Sequence, residues 1–104
     1  MIFDDNEPCY VISIAARMVG LHAQSLRYYE KMGLIEPARS QGRVRFYSQR
    51  DIERLRQIKT LMNDLGINLA GVEVILRLTE RITDLEQQMD EMQLELNRYR
   101  RTQL

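Results

Sequence analysis

Between Gln24 and Tyr47 the chain gathers hydrogen-bond donors of a few kinds. Gln24, Ser25, Arg27 and Tyr28 lie within about two helical turns of one another, and Arg39, Arg43 and Arg45 follow soon after. A guanidinium offers a planar fork of donors that matches paired acceptors on a guanine edge or a phosphate. A tyrosine hydroxyl adds a single donor suited to phosphate. No nucleophile, base and orienting third group stand together, and no glycine-rich phosphate loop is present, so an enzyme is not expected. Such a set is suited to gripping an anionic surface rich in acceptors.

The charge distribution agrees. The net charge of zero hides a split: residues 10–60 hold ten Lys/Arg against four acids, for +6. The first nine residues sum to −3 through Asp4, Asp5 and Glu7, and residues 61–104 sum to −3. A basic middle with acidic flanks implies a polyanionic partner for the middle. Cys9 is the only cysteine and His22 the only histidine. An intrachain disulfide is therefore excluded, and neither a metal site nor a cofactor is expected. No apolar run approaches membrane-spanning length and no signal-peptide pattern opens the chain, so a soluble, cytoplasmic protein with no membrane partner is expected.

The donors need elements to hold them. Residues 1–9 read as a flexible acidic tail and Tyr10-Val11-Ile12 as an extended lead-in. Ser13 is suited to cap a first helix with Ile14, Ala15, Met18 and Val19 on its inner face, ended by Gly20. A second helix runs from about Ala23 to Met32, with Leu26 and Tyr29 inward and Gln24, Ser25, Arg27, Tyr28 and Lys31 outward. Pro37 opens a hairpin with Gln41-Gly42 at its tip. Alternation puts Arg43 and Arg45 on one face and Val44 and Phe46 on the other. A salt-bridge role for these arginines finds only Glu36 close in sequence. Ser48 and Asp51 form a capping box for a third helix that Gly66 stops, and Asn68 caps a fourth.

From Ile75 the period changes. Ile75, Leu78, Ile82, Leu85, Met89, Met92, Leu96 and Tyr99 recur at alternating spacings of three and four, an unbroken heptad seam. A single-stripe helix of this length is marginal alone in water, so a homodimer through the seam is expected. The flanking charges fit parallel and antiparallel pairing equally well.

The run Leu26-Arg27-Tyr28-Tyr29-Glu30, then Gly33-Leu34-Ile35, Pro37, Arg45, Tyr47-Ser48 and Asp51-Ile52, resembles the MerR family of transcription regulators over about residues 10–100. The resemblance implies a mainly α fold: a winged helix-turn-helix with a small β-hairpin wing, then a long coiled-coil dimerisation helix. It also implies antiparallel pairing. The expected division is a tail over 1–9, a DNA-binding domain over 10–77 and a dimerisation helix over 78–104. Family roles carry over to Arg27, Tyr28, Arg45 and Tyr47 as DNA contacts, and to Tyr29. With them the expected DNA-binding set is His22, Gln24, Ser25, Arg27, Tyr28, Tyr29, Arg43, Arg45 and Tyr47. The dimerisation set is Leu78, Ile82, Leu85, Met89, Met92, Leu96 and Tyr99.

Within the family, Tyr10-Val11-Ile12-Ser13, Gly20-Leu21-His22 and the segment from Gly66 to Val72 resemble the HspR-type heat-shock repressor branch, although Ala23 stands where that branch usually has proline. This implies a repressor of chaperone genes with a DnaK-type chaperone as co-repressor. The glutamine-synthetase regulators share the Pro37-Ala38-Arg39-Ser40 hairpin start and are the alternative. A reading of another class is a coiled-coil adaptor whose basic domain binds an acidic protein.

Overall fold

The computed structural model describes residues 5–103, so the part of the expected tail over 1–4 lies outside the described residues. Residues up to Asn68 form one compact unit, and those from Leu69 another.

In the first unit, β1 (Tyr10–Val11) runs straight into α1 (Ile12–Val19). Val11 stands at the N-cap and no side chain caps the helix there. Ser13, expected as the cap, lies inside the first turn. The helix begins early because Tyr10 and Val11 are pinned to the sheet, and the chain must turn immediately after them. Ala15, Ala16 and Val19 form the buried face, whereas Ile14 is exposed. The small alanines let α1 approach α2 and α3 closely, and the helix is rotated accordingly from the expected stripe. Gly20 ends it in the left-handed region at φ 70°, as its type allows.

α2 (Ala23–Lys31) buries Leu26 and Tyr29, and the chain leaves it through Gly33 at φ 78°. Leu34 and Ile35 then return to the core. β2 (Ala38–Arg39) and β3 (Arg45–Tyr47) form the hairpin. β1 adds to the other edge of β3, giving an antiparallel sheet of order β1-β3-β2. The lead-in is therefore a third strand, paired Tyr10↔Tyr47 and Val11↔Phe46. Two residues are too few to show strand alternation in sequence.

α3 (Gln49–Lys59) opens on the expected capping box. The Ser48 N–H donates to Asp51 Oδ2 at 2.9 Å, and the Asp51 N–H to Ser48 Oγ at 3.1 Å. Ile52, Leu55 and Ile58 complete the core beneath α1 and β3. The helix then widens into a π turn over Thr60–Asp64, closed by the Leu65 N–H on the Thr60 carbonyl at 3.0 Å. Gly66, at φ 67°, stops it.

The second unit is one helix, α4 (Leu69–Thr102), of 34 residues. At ~1.5 Å per residue it is about 50 Å long. It passes through residues 77 and 78 without a break. Among the described residues no helix is long and apolar enough to cross a membrane.

Candidate nucleic-acid interface

α2 presents its polar face as its sequence dictates. Leu26 and Tyr29 are drawn inward by core packing, which turns Gln24, Arg27, Tyr28 and Lys31 outward; His22, at the N-cap, is exposed, and Ser25 is half-buried. Arg27 Nη1 donates to Gln24 Oε1 at 3.0 Å, one turn earlier on the same face. That bond aligns the guanidinium along the helix towards its N-terminal end, where a groove-reading helix carries its base contacts. The Tyr28 ring is exposed and tilted 60° against Tyr29, with centroids 6.0 Å apart. Tyr29 itself is buried, and burial, aided by the neighbouring Tyr28, raises its hydroxyl above the ordinary tyrosine value. It does not stand on the surface as a DNA contact would. Its place in the helical period puts it one turn after Leu26, on the core face.

The hairpin differs more from expectation. Its arginine-bearing face turns towards α2, and Val44 on the other face is exposed. Arg45 Nε donates to Glu30 Oε1 at 2.7 Å, and Arg39 Nη2 reaches both Glu30 oxygens at 3.0 and 2.9 Å. The Arg45 and Glu30 side chains are 25% and 19% exposed, while Arg39 is 42% exposed. Glu36 is therefore not the partner acid: Glu30 is, from the far end of α2. Burial alone would raise the Glu30 carboxyl. The Arg45 hydrogen bond and charge, with Arg39 beside them, outweigh that and hold it below the ordinary value.

Tyr47, expected on DNA, is fully buried at 0% exposure, and its Oη has no hydrogen-bond partner among the described residues. The parity that aims Arg45 at α2 aims Tyr47, two residues on, into the core. Burial raises its hydroxyl above the ordinary value.

Arg43 is the exception on the wing. The Arg43 N–H donates to the Ser40 carbonyl at 2.9 Å, and the Ser40 N–H to the Val44 carbonyl at 3.0 Å. The loop is thus the three residues Gln41-Gly42-Arg43. In such loops the third residue takes a left-handed conformation, usually as glycine. Here the glycine stands one place earlier and Arg43 takes φ 64°, the one non-glycine positive φ among the described residues. Arg39 Nη1 holds this turn through the Arg43 carbonyl at 3.3 Å. The Arg43 side chain is exposed and makes no ion pair within the described residues. The structure thus brings His22, Gln24, Arg27, Tyr28 and Arg43 to the surface of one unit, leaves Ser25 half-buried, and turns Tyr29, Arg45 and Tyr47 inward. Sequence reasoning missed Glu30. Its signal was a lone acid closing a helix whose wing carried three arginines.

In the second unit the expected seam is in place on α4. Leu78, Ile82, Leu85, Met89, Met92, Leu96 and Tyr99 are 42% to 68% exposed. A large unpaired apolar stripe of this kind marks an interaction surface.

A family model for MerR helix-turn-helix regulatory proteins matches residues 10–79. The chain is 48% identical over 88 residues to a Streptomyces coelicolor protein described as a putative heat shock protein HspR, a match covering 85% of this chain and 58% of that protein. It is 35% identical over 79 residues to the transcriptional regulator GlnR of Bacillus anthracis, covering 76% of this chain and 60% of the relative. The matches thus span less than two thirds of either relative. Its fold is similar to the crystal structure of HiNmlR, a MerR family regulator lacking the sensor domain, bound to promoter DNA. There the TM-score is 0.60 and the identity 23%, over 88% of this chain and 76% of that one.

Proposed function

The chain belongs to the MerR family of helix-turn-helix regulators, and from that premise we propose that it is a dimeric, sequence-specific DNA-binding repressor of heat-shock genes. The observation that carries DNA binding is Arg43. A residue held at φ 64° where glycine would be unstrained, with its side chain exposed and in no ion pair among the described residues, fits a selected ligand contact. In this reading α2 enters the major groove with Gln24, Ser25, Arg27 and Tyr28, His22 lies at its start, and Arg43 grips phosphate from the wing. Residues 10–77 serve DNA binding. Residues 78–104 pair with a second copy as an antiparallel coiled coil, which sets two α2 helices on two half-sites.

The heat-shock assignment is supported by the similarity to the protein described as HspR. The resemblance of Tyr10-Val11-Ile12-Ser13 and Gly20-Leu21-His22 to the heat-shock repressor branch further implies a DnaK-type chaperone as co-repressor. A gel shift on the chain's own promoter, with and without the chaperone, tests both. Repression with a chaperone requires a shift that tightens when the chaperone is added. A promoter that the protein ignores would leave an adaptor binding an acidic protein as the better reading. The second reading is regulation of nitrogen metabolism, implied by the resemblance of Pro37-Ala38-Arg39-Ser40 to the hairpin start of the glutamine-synthetase regulators, beside the similarity to GlnR. Preference for a glutamine-synthetase promoter over a chaperone promoter would select it.

A further inference from the structure

Arg39 and Arg45 are register partners across the β2–β3 ladder. Residues so paired project to the same face, and like charges directly opposite destabilise a ladder. This ladder is short, with only the pairs Ala38↔Phe46 and Arg39↔Arg45 joining β2 to the sheet. A two-pair strand at a sheet edge has little stability of its own. The Glu30 carboxylate spans both guanidinia: Oε1 accepts from Arg45 at 2.7 Å, and both oxygens accept from Arg39. Arg39 continues the chain of bonds to the Arg43 carbonyl at 3.3 Å. One acid on the last turn of α2 is thus connected to the wing tip.

We propose that Glu30 is a positioning residue: its carboxylate neutralises a like-charge pair in the wing and thereby fixes Arg43 relative to α2. The inference rests on the DNA-binding reading above. It runs against simple electrostatics. An acid beside a DNA-binding face repels phosphate, so removing its charge should tighten binding. If Glu30 positions the wing, removing its charge weakens binding instead.

The test uses the full chain and a DNA duplex enriched by the wild-type protein from a random-sequence pool. Glu30→Gln, Arg39→Gln and the double variant are compared in affinity and in backbone amide exchange without DNA. The expected result for Glu30→Gln is exchange about fivefold faster at Ser40, Arg43 and Val44, with the α3 amides unchanged. Affinity falls about fivefold in parallel. In the Arg39→Gln background the like-charge pair no longer exists, and the Glu30→Gln effect shrinks to about twofold or less. Equal or tighter binding by Glu30→Gln overturns the inference, as does weaker binding with wing exchange unchanged. Faster exchange in α3 as well would make Glu30 a general stabiliser and would also overturn it. If Glu30→Gln does not fold, the double variant decides: positioning requires that it fold again, and failure of both is contrary. Failure of the wild type to enrich any duplex is a separate outcome that strikes the DNA-binding reading itself.

Discussion

Lys59 reaches from the last turn of α3 to donate its ammonium to the Val19 carbonyl, 3.0 Å away at the end of α1. The same Nζ would lie 2.8 Å from a Cβ placed on Gly20. A cation here satisfies an orphan carbonyl and meets the negative end of the α1 dipole. Gly20→Ala meets both the positive φ and the ammonium, and should cost ~1–2 kcal/mol. Lys59→Met should cost ~1 kcal/mol. Denaturant unfolding of both variants checks this; a neutral Gly20→Ala would mean the turn relaxes freely.

Arg43→Gly separates strain from function. Glycine accepts φ 64° without penalty, so the variant should be as stable as wild type or up to ~1 kcal/mol more stable. It should bind DNA less tightly, with a salt slope flatter by about one ion. A slope unchanged from wild type would remove Arg43 from the phosphate contacts. Arg45→Ala is expected to act differently, by loosening the wing, because its guanidinium is committed to Glu30.

The depressed Glu30 carboxyl makes the wing clamp pH-dependent, and the sign follows from linkage. Over the window between its folded value and the ordinary ~4.3, the unfolded chain binds more protons than the folded one. The clamp's contribution is therefore complete above the ordinary value and is lost as pH falls through the lower folded one. Wing-amide exchange in wild type and Glu30→Gln should differ at neutral pH and converge in acid. A difference that persisted below the folded value would assign the effect to something other than ionisation.

The seam on α4 supports a further expectation. Burying a leucine-sized side chain contributes ~1.5–3 kcal/mol, and Leu85 stands in a stripe otherwise open to water. Leu85→Asp should shift a dimer towards monomer and weaken DNA binding together. Sedimentation of wild type and variant across a dilution series reads the first effect. Coincident curves would remove Leu85 from any interface.

Much of the fold was legible because its signals are local. Gly20, Gly33 and Gly66 mark helix ends by backbone conformation, Ser48 and Asp51 form a four-residue capping box, and the heptad seam repeats along one unbroken helix. The failures are non-local or concern parity. β1 is two residues long and gains its identity only by pairing with β3. Alternation separates the Arg43 and Arg45 face from the Val44 and Phe46 face without saying which one turns towards α2, and Tyr47, a DNA contact only by the family resemblance, shares the parity of Arg45. Glu30 was overlooked because an acid fifteen residues before Arg45 in the chain is its neighbour only after the wing folds back. The positive φ at Arg43 was also hidden, since Gly42 beside it is the residue that sequence would choose.

In the proposed complex two copies of this chain grip one duplex through α2 and the wing. The mass of the complex formed with a duplex enriched from a random pool, measured at ~0.1 M salt by sedimentation, reads this stoichiometry. The expected species is two protomers on one duplex, whose enriched sequence carries two inverted half-sites about one helical turn apart, or a multiple of it. A single protomer per duplex, or no complex at protein concentrations of ~10 μM, well above typical specific affinities, would contradict it.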